Sequence, residues 1–160
     1  MNYNISNKQI HSQLNDFFDY ISLFPYYKIE VKNMSETFQI GEIVTGIYKT
    51  GKYIGEITNS RPGSYVVKVL AVLKHPTQGD LHNVKQADVP FFHERRALAF
   101  REQTNIPQPM VKKYEGDIPD YKESLQIALE SQMNAFSEDD SPFAKRSLQT
   151  LEQLKQDYKL

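Results

Sequence analysis

The stretch GEIVTGIYKTGKYIGEITNSRPGSYVVKVLAVLK, from Gly41 to Lys74, decides the fold. Ile43 and Ile47 open a strand, and Lys49-Thr50-Gly51-Lys52 is a short hairpin signal after which Tyr53 to Thr58 returns as the partner. Arg61-Pro62-Gly63-Ser64 then places Pro and Gly where a type II turn requires them. In the next strand Tyr65, Val67, Val69, Ala71 and Leu73 alternate with Val66, Lys68, Leu70, Val72 and Lys74, so its middle is apolar on both sides. So long a strand in so short a meander has to bend and serve two sheet faces, as small barrels require. Gly46 and Gly55 fall inside strands and mark bends or bulges at barrel corners.

Outward from this stretch, His75-Pro76 begins an irregular run that passes Gly79 and ends in Pro90-Phe91-Phe92. Phe91 and Phe92 are expected to close one end of the barrel as core residues. Leu98 and Phe100 then share one face of a further strand, with Ala97 and Ala99 on the other. Beyond it, Pro119 is expected in a first helical turn, with Asp120 and Glu123 favourable to the helix dipole. Tyr121, Leu125, Ala128, Leu129, Met133 and Phe136 form one apolar stripe. Ser141-Pro142 restarts a second helix with Ala144, Leu148, Leu151 and Tyr158 inward. The expected architecture is mainly β with C-terminal α: a five-stranded SH3-like barrel followed by two amphipathic helices that pack on it. The expected boundaries are an extension over 1–33, the barrel over 34–113 and the helices over 114–160. In the extension Ile10, Leu14, Phe17, Phe18 and Ile21 recur at helical spacing, with Ser6 as N-cap and Pro25 as stop. Glu30-Val31 can be encoded with a ribosome-binding core upstream of Met34, which makes Met34 the expected translation start.

At 160 residues, 39% hydrophobic and 24% charged, the chain has ordinary globular composition and length for one domain with appendages. It contains no cysteine, which excludes disulfides, thiolate metal sites, a cysteine nucleophile and a lipid-modified cysteine. It shows no signal peptide and nothing near about 18 consecutive apolar residues, so a cytoplasmic protein is expected. Net charge is −1, but Arg61 to Lys113 is basic and the chain from Tyr114 onward is acidic. The two regions are expected to pair internally on a solvated surface.

The densest polar constellation runs through His75, Gln78, Asp80 and His82, then His93, Glu94, Arg95, Arg96 and Arg101. Gly79-Asp80 reads as a turn in which the aspartate accepts backbone N–H groups. Glu94, Arg95, Arg96, Arg101 and Glu102 place several charges on the expected strand, either as a ligand-facing strip or as cross-strand ion pairs. These nine residues, His75, Gln78, Asp80, His82, His93, Glu94, Arg95, Arg96 and Arg101, form the candidate interaction surface. No phosphate-cradling glycine loop or nucleophile elbow is present, so no catalytic, cofactor or metal residues are assigned and a non-enzyme is expected. Two alternatives stand beside this. One is an SH3-like nucleic-acid binder, since Tyr53, Tyr65, Lys68 and Arg96 interleave aromatic and basic groups, against a pI near 6.4. The other is a metal-dependent hydrolase built on His75, Asp80, His82 and His93, whose spacing matches no familiar metal pattern.

From Phe38 to about Glu130 the chain resembles the kinase-associated protein B family, also called kinase-associated lipoprotein B, of spore-forming bacteria. The residues that carry this are Tyr48-Lys49-Thr50-Gly51, Tyr53-Ile54-Gly55-Glu56-Ile57, His75-Pro76 and Gln78-Gly79-Asp80-Leu81-His82. The longest run is Gln86 through Asn105. The resemblance implies an SH3-like barrel with C-terminal helices and a regulatory part in sporulation signal transduction. It also implies activation of a phosphorelay branch served by a membrane sensor histidine kinase, KinB. That role places the protein in the cytoplasm or peripherally at the membrane through its kinase partner. The family's lipoprotein name implies a lipidated cysteine, which this chain lacks.

Overall fold

The computed structural model describes residues 37–160. The helix expected over Ile10 to Ile21 and the start expected at Met34 lie outside the described residues. Five strands and two helices follow: β1 (Ile43–Tyr48), β2 (Gly51–Arg61), β3 (Ser64–Lys74), β4 (Gln103–Pro107), β5 (Val111–Lys113), α1 (Tyr121–Ser137) and α2 (Pro142–Asp157). A short 3-10 turn, Gln108–Met110, joins β4 to β5. All strand pairs are antiparallel, in the order β4-β3-β2-β1-β5.

Turn chemistry sets the register. The β1–β2 hairpin pairs Tyr48 with Gly51 across Lys49-Thr50, and Lys49 takes a left-handed φ of 52°. Gly63 has φ 75° in the β2–β3 turn, the conformation the Pro-Gly dipeptide demands. Irregularities interrupt the β2–β3 ladder at Lys52/Tyr53, Ile54/Gly55 and Ile57/Asn59, and such bulges bend a strand and raise its twist.

As a result β3 serves two cores. Its first half, with Tyr65 and Val67, packs with Phe38, Val44, Ile57, Ile106 and Val111 inside the coiled sheet. Its second half, with Val69 and Val72, joins Tyr53 and Leu98 against Leu125 and Ala128 of α1. Helix α1 also supplies Ser124, whose hydroxyl accepts from the Val72 N–H at 3.0 Å where no strand continues the ladder beyond Lys68. Leu129 of α1 packs on Leu151 and Leu154 of α2 in a third cluster.

Four expectations are corrected. The ladder is open, not a closed barrel, because β4 and β5 are its two edges and do not pair. Ala97 to Phe100 is not a strand, and the fourth strand begins only at Gln103. Backbone groups of Ala97 and Leu98 bond tyrosine hydroxyls, and Arg101 turns the chain with φ 63°. Pro119 lies before α1, whose N-cap is Asp120, accepting from Lys122 and Glu123 N–H. Phe91 is 74% exposed, and Phe92 packs on Phe143 of α2, with tilted rings 5.9 Å apart, and not on a barrel end. The second helix starts as expected, with Ser141 as N-cap and Pro142 in its first turn.

Candidate functional site

Between β3 and β4 the chain runs from His75 to Glu102 with no helix or strand, yet side chains take its backbone hydrogen bonds. Gln78 is the central clamp. Its amide N donates to Pro76 O at 2.9 Å and Arg95 O at 3.0 Å. Its amide O accepts from Arg95 N–H at 2.9 Å. One side chain thereby replaces a strand neighbour for Arg95. Gly79 N–H donates to His93 O at 2.9 Å, and the Arg95 guanidinium returns to Gly79 O at 3.1 Å.

Three tyrosine hydroxyls hold the next residues. Tyr158 OH accepts from Ala97 N–H at 2.9 Å, and Tyr53 OH accepts from Leu98 N–H at 3.3 Å. Tyr121 OH donates to Leu98 O at 2.7 Å. Burial pushes the Tyr53 and Tyr121 pKa values up to about 12 and raises that of Tyr158, so all three remain neutral hydroxyls at physiological pH. Farther along the run, Arg146 of α2 lies over the Phe92 ring at 4.6 Å and donates to Ala87 O at 2.6 Å.

His75 joins this segment to both helices. Its Nδ1 lies 3.1 Å from Pro76 O and 3.1 Å from the side-chain oxygen of Gln132 in α1. Both are acceptors, so Nδ1 carries the proton. Nε2 therefore accepts from Tyr158 OH, at 3.1 Å. Burial pushes the His75 pKa below its ordinary 6.5, against the opposing effect of its bonds to Pro76 and Gln132. The folded state then binds fewer protons than the unfolded chain as pH falls through 6.5. The His75 contribution to stability is complete above that pH and declines below it, towards the depressed native pKa. Urea unfolding at about pH 8, 6.5 and 5 is expected to show this decline, and His75→Gln is expected to flatten it over that window.

The nine candidate residues separate by this geometry. His75 and Gln78 are fully buried, so they order the surface from beneath and do not form part of it. Asp80 closes its turn as expected, accepting from His82 N–H at 2.9 Å and from the Asn83 side chain at 2.7 Å. These bonds hold its carboxyl below the usual range. His82, His93, Glu94, Arg96 and Arg101 are exposed and Arg95 is half-buried. Arg96 bonds Glu94 at 3.2 Å and pairs with Asp157 of α2. The expected pairing of basic middle and acidic tail is thus made here, through a loop and a helix end instead of across strands. The alternative metal set is not assembled: among the described residues no group of three or more His, Cys, Asp or Glu can hold a metal ion, and both His75 nitrogens are occupied by protein partners. Sequence reading missed Gln132, Ser124 and the hydroxyl of Tyr158, since polar contacts between distant residues leave no local pattern.

Above the Glu94–Leu98 segment lies a cleft of about 160 Å³ lined by Tyr48, Lys49, Tyr53, Pro76, Glu94, Arg95, Arg96 and Leu98. Beside this face Phe91 stacks on His93 with ring centroids 6.4 Å apart, and Phe100 packs on Tyr121 at 5.6 Å. Exposed aromatics thus lie beside mixed charges on a backbone fixed by buried bonds. Among the described residues no helix is long and apolar enough to cross a membrane.

Comparison with known proteins places this geometry in a family. The family model for kinase-associated protein B matches residues 48–159. Kinase-associated lipoprotein B of Bacillus subtilis (strain 168) is 62% identical over 122 residues, which cover 76% of this chain and 95% of that protein. The crystal structure of kinase-associated protein B from Bacillus cereus superposes with a TM-score of 0.69 at 77% identity. That match covers 78% of this chain and 100% of the other. With a family match that runs from the β1–β2 hairpin to the end of α2, the chain belongs to the kinase-associated protein B family.

Proposed function

We propose that this protein is a non-enzymatic regulator that docks in the cytoplasm to a component of a sensor histidine kinase pathway and supports the kinase branch that initiates sporulation. The observation that carries this reading is the His75–Glu102 segment, an irregular backbone whose buried bonds hold an exposed face of aromatic and charged groups in one arrangement. Pre-ordering a contact surface lowers the entropy lost on binding. Catalysis is not what this arrangement suits. Its buried histidine has both nitrogens engaged, and its tyrosine hydroxyls are committed to backbone groups. The names of its relatives supply the kinase connection.

The contact face comprises Asp80, His82, His93, Glu94, Arg95, Arg96 and Arg101, with Phe91 as its apolar anchor. Phe91 and Arg101 are the residues to change, because both side chains are exposed and neither carries one of the bonds that hold the segment. Tagged protein expressed in sporulating cells is expected to capture a sensor histidine kinase, and Phe91→Ala with Arg101→Glu to reduce that capture at least about tenfold. The double variant should keep the wild-type urea midpoint. Undiminished capture of the kinase by the folded variant would refute this surface.

A further inference from the structure

The cleft above Glu94–Leu98 carries an imbalance of charge. Arg96 is neutralised by Glu94 and Asp157. Lys49 and Arg95, among the described residues, have no carboxylate partner. The Lys49 ammonium rests 5.4 Å from the centroid of the Tyr48 ring. The Arg95 guanidinium makes one bond, to Gly79 O, while its Nε is buried with no hydrogen-bond partner. Lys49, Arg95 and Arg96 therefore set three positive charges at one small cleft against two carboxylates, Glu94 and Asp157, both engaged by Arg96.

Lys49 and Arg95 are also held in place. The Arg95 backbone is clamped on its N–H and its carbonyl by Gln78. Lys49 occupies the first position of a two-residue hairpin turn at φ 52°, where glycine is the comfortable residue. Tyr53 and Leu98 give the same cleft buried apolar walls. A carboxylate on an alkyl stem matches this lining: its charge meets Lys49 and Arg95 while its methylenes lie against Leu98 and the half-buried Tyr48 ring.

We propose that this cleft binds the side chain of a glutamate presented by an extended acidic segment of the partner protein. This rests on the docking role proposed above and names the chemistry that the partner brings. The test is an amide NMR titration of the full chain with a capped Gly-Leu-Glu-Phe-Gly peptide, the same peptide carrying Gln for Glu, and acetate. The Glu peptide is expected to give saturable shifts at Lys49, Arg95, Arg96 and Leu98, weakening as salt rises. The Gln peptide and the Lys49→Gly variant are each expected to bind at least about tenfold more weakly. Lys49→Gly relieves the left-handed backbone as it removes the charge, so its urea midpoint should hold or rise. Equal binding of Glu and Gln peptides, unchanged affinity in Lys49→Gly, or shifts that map elsewhere would overturn the proposal. Acetate shifts matching those of the peptide at equal concentration would overturn the peptide source. Failure of kinase capture in cells, with the titration as expected, would remove the docking role and leave the cleft chemistry standing.

Discussion

Replacing Tyr158 by phenylalanine is expected to destabilise the protein by about 2–3 kcal/mol, although it removes a single oxygen at the C-terminal cap of α2. That oxygen serves two elements at once. It donates to the buried Nε2 of His75 and accepts from the Ala97 N–H, so its loss strands a buried acceptor and a backbone donor together. Leaving buried groups unpaired costs more than the net worth of the bonds themselves. Tyr114→Phe is the control: its hydroxyl bonds Asp117 O at an exposed site, and its removal is expected to change stability by less than about 0.5 kcal/mol. Urea unfolding of the two variants compares them directly. A Tyr158→Phe midpoint no lower than that of Tyr114→Phe would remove Tyr158 as a connector.

The second large effect is expected at Gly55, where alanine should cost about 3 kcal/mol. A Cβ there would lie 2.5 Å from a Val67 methyl and 2.6 Å from the Lys68 carbonyl oxygen. The carbonyl is backbone, inside the β2–β3 ladder at an irregularity in register, so relief requires the hairpin itself to shift. Gly46→Ala makes the contrast. Its Cβ would meet the Ile106 side-chain end at 2.5 Å, and a rotamer change there relieves the clash at lower cost. Thermal unfolding should therefore rank Gly55→Ala well below Gly46→Ala. Equal destabilisation by the two would show that the close approach of β2 to β3 is not what bends the sheet.

These two sites differ in how far the sequence discloses them. Gly55 interrupts an otherwise continuous run of strand-forming residues, and that break announces a bulge. The β1–β3 meander is legible for the same reason, since Lys49-Thr50 and Pro62-Gly63 punctuate clear two-residue alternation. The two helices follow from their caps and apolar stripes. Where alternation misled was Ala97 to Phe100, whose pattern is that of a strand but whose backbone partners are tyrosine hydroxyls from β2, α1 and the end of α2. The true fourth strand, Gln103–Pro107, buries only Ile106 and ends in proline, so it carries almost no periodic signal. Among the candidate residues, His75 and Gln78 belong by sequence to a dense polar run that points to the surface, as polar side chains usually do. Their burial depends on partners as remote as Tyr158, 83 residues away from His75, and no local window contains that information.

A contact face on an irregular segment is useful only if the segment is held still, and amide hydrogen exchange measures that directly. The amides of Gly79, Arg95, Ala97 and Leu98 lie outside every strand and helix, yet each has a protein acceptor. In the wild-type protein their protection should approach that of the β2–β3 ladder, and in Tyr158→Phe the protection of Ala97 and its neighbours should fall while the ladder is retained. Exchange of these four amides at the rate of an open loop in the wild type would contradict the account of an ordered docking face.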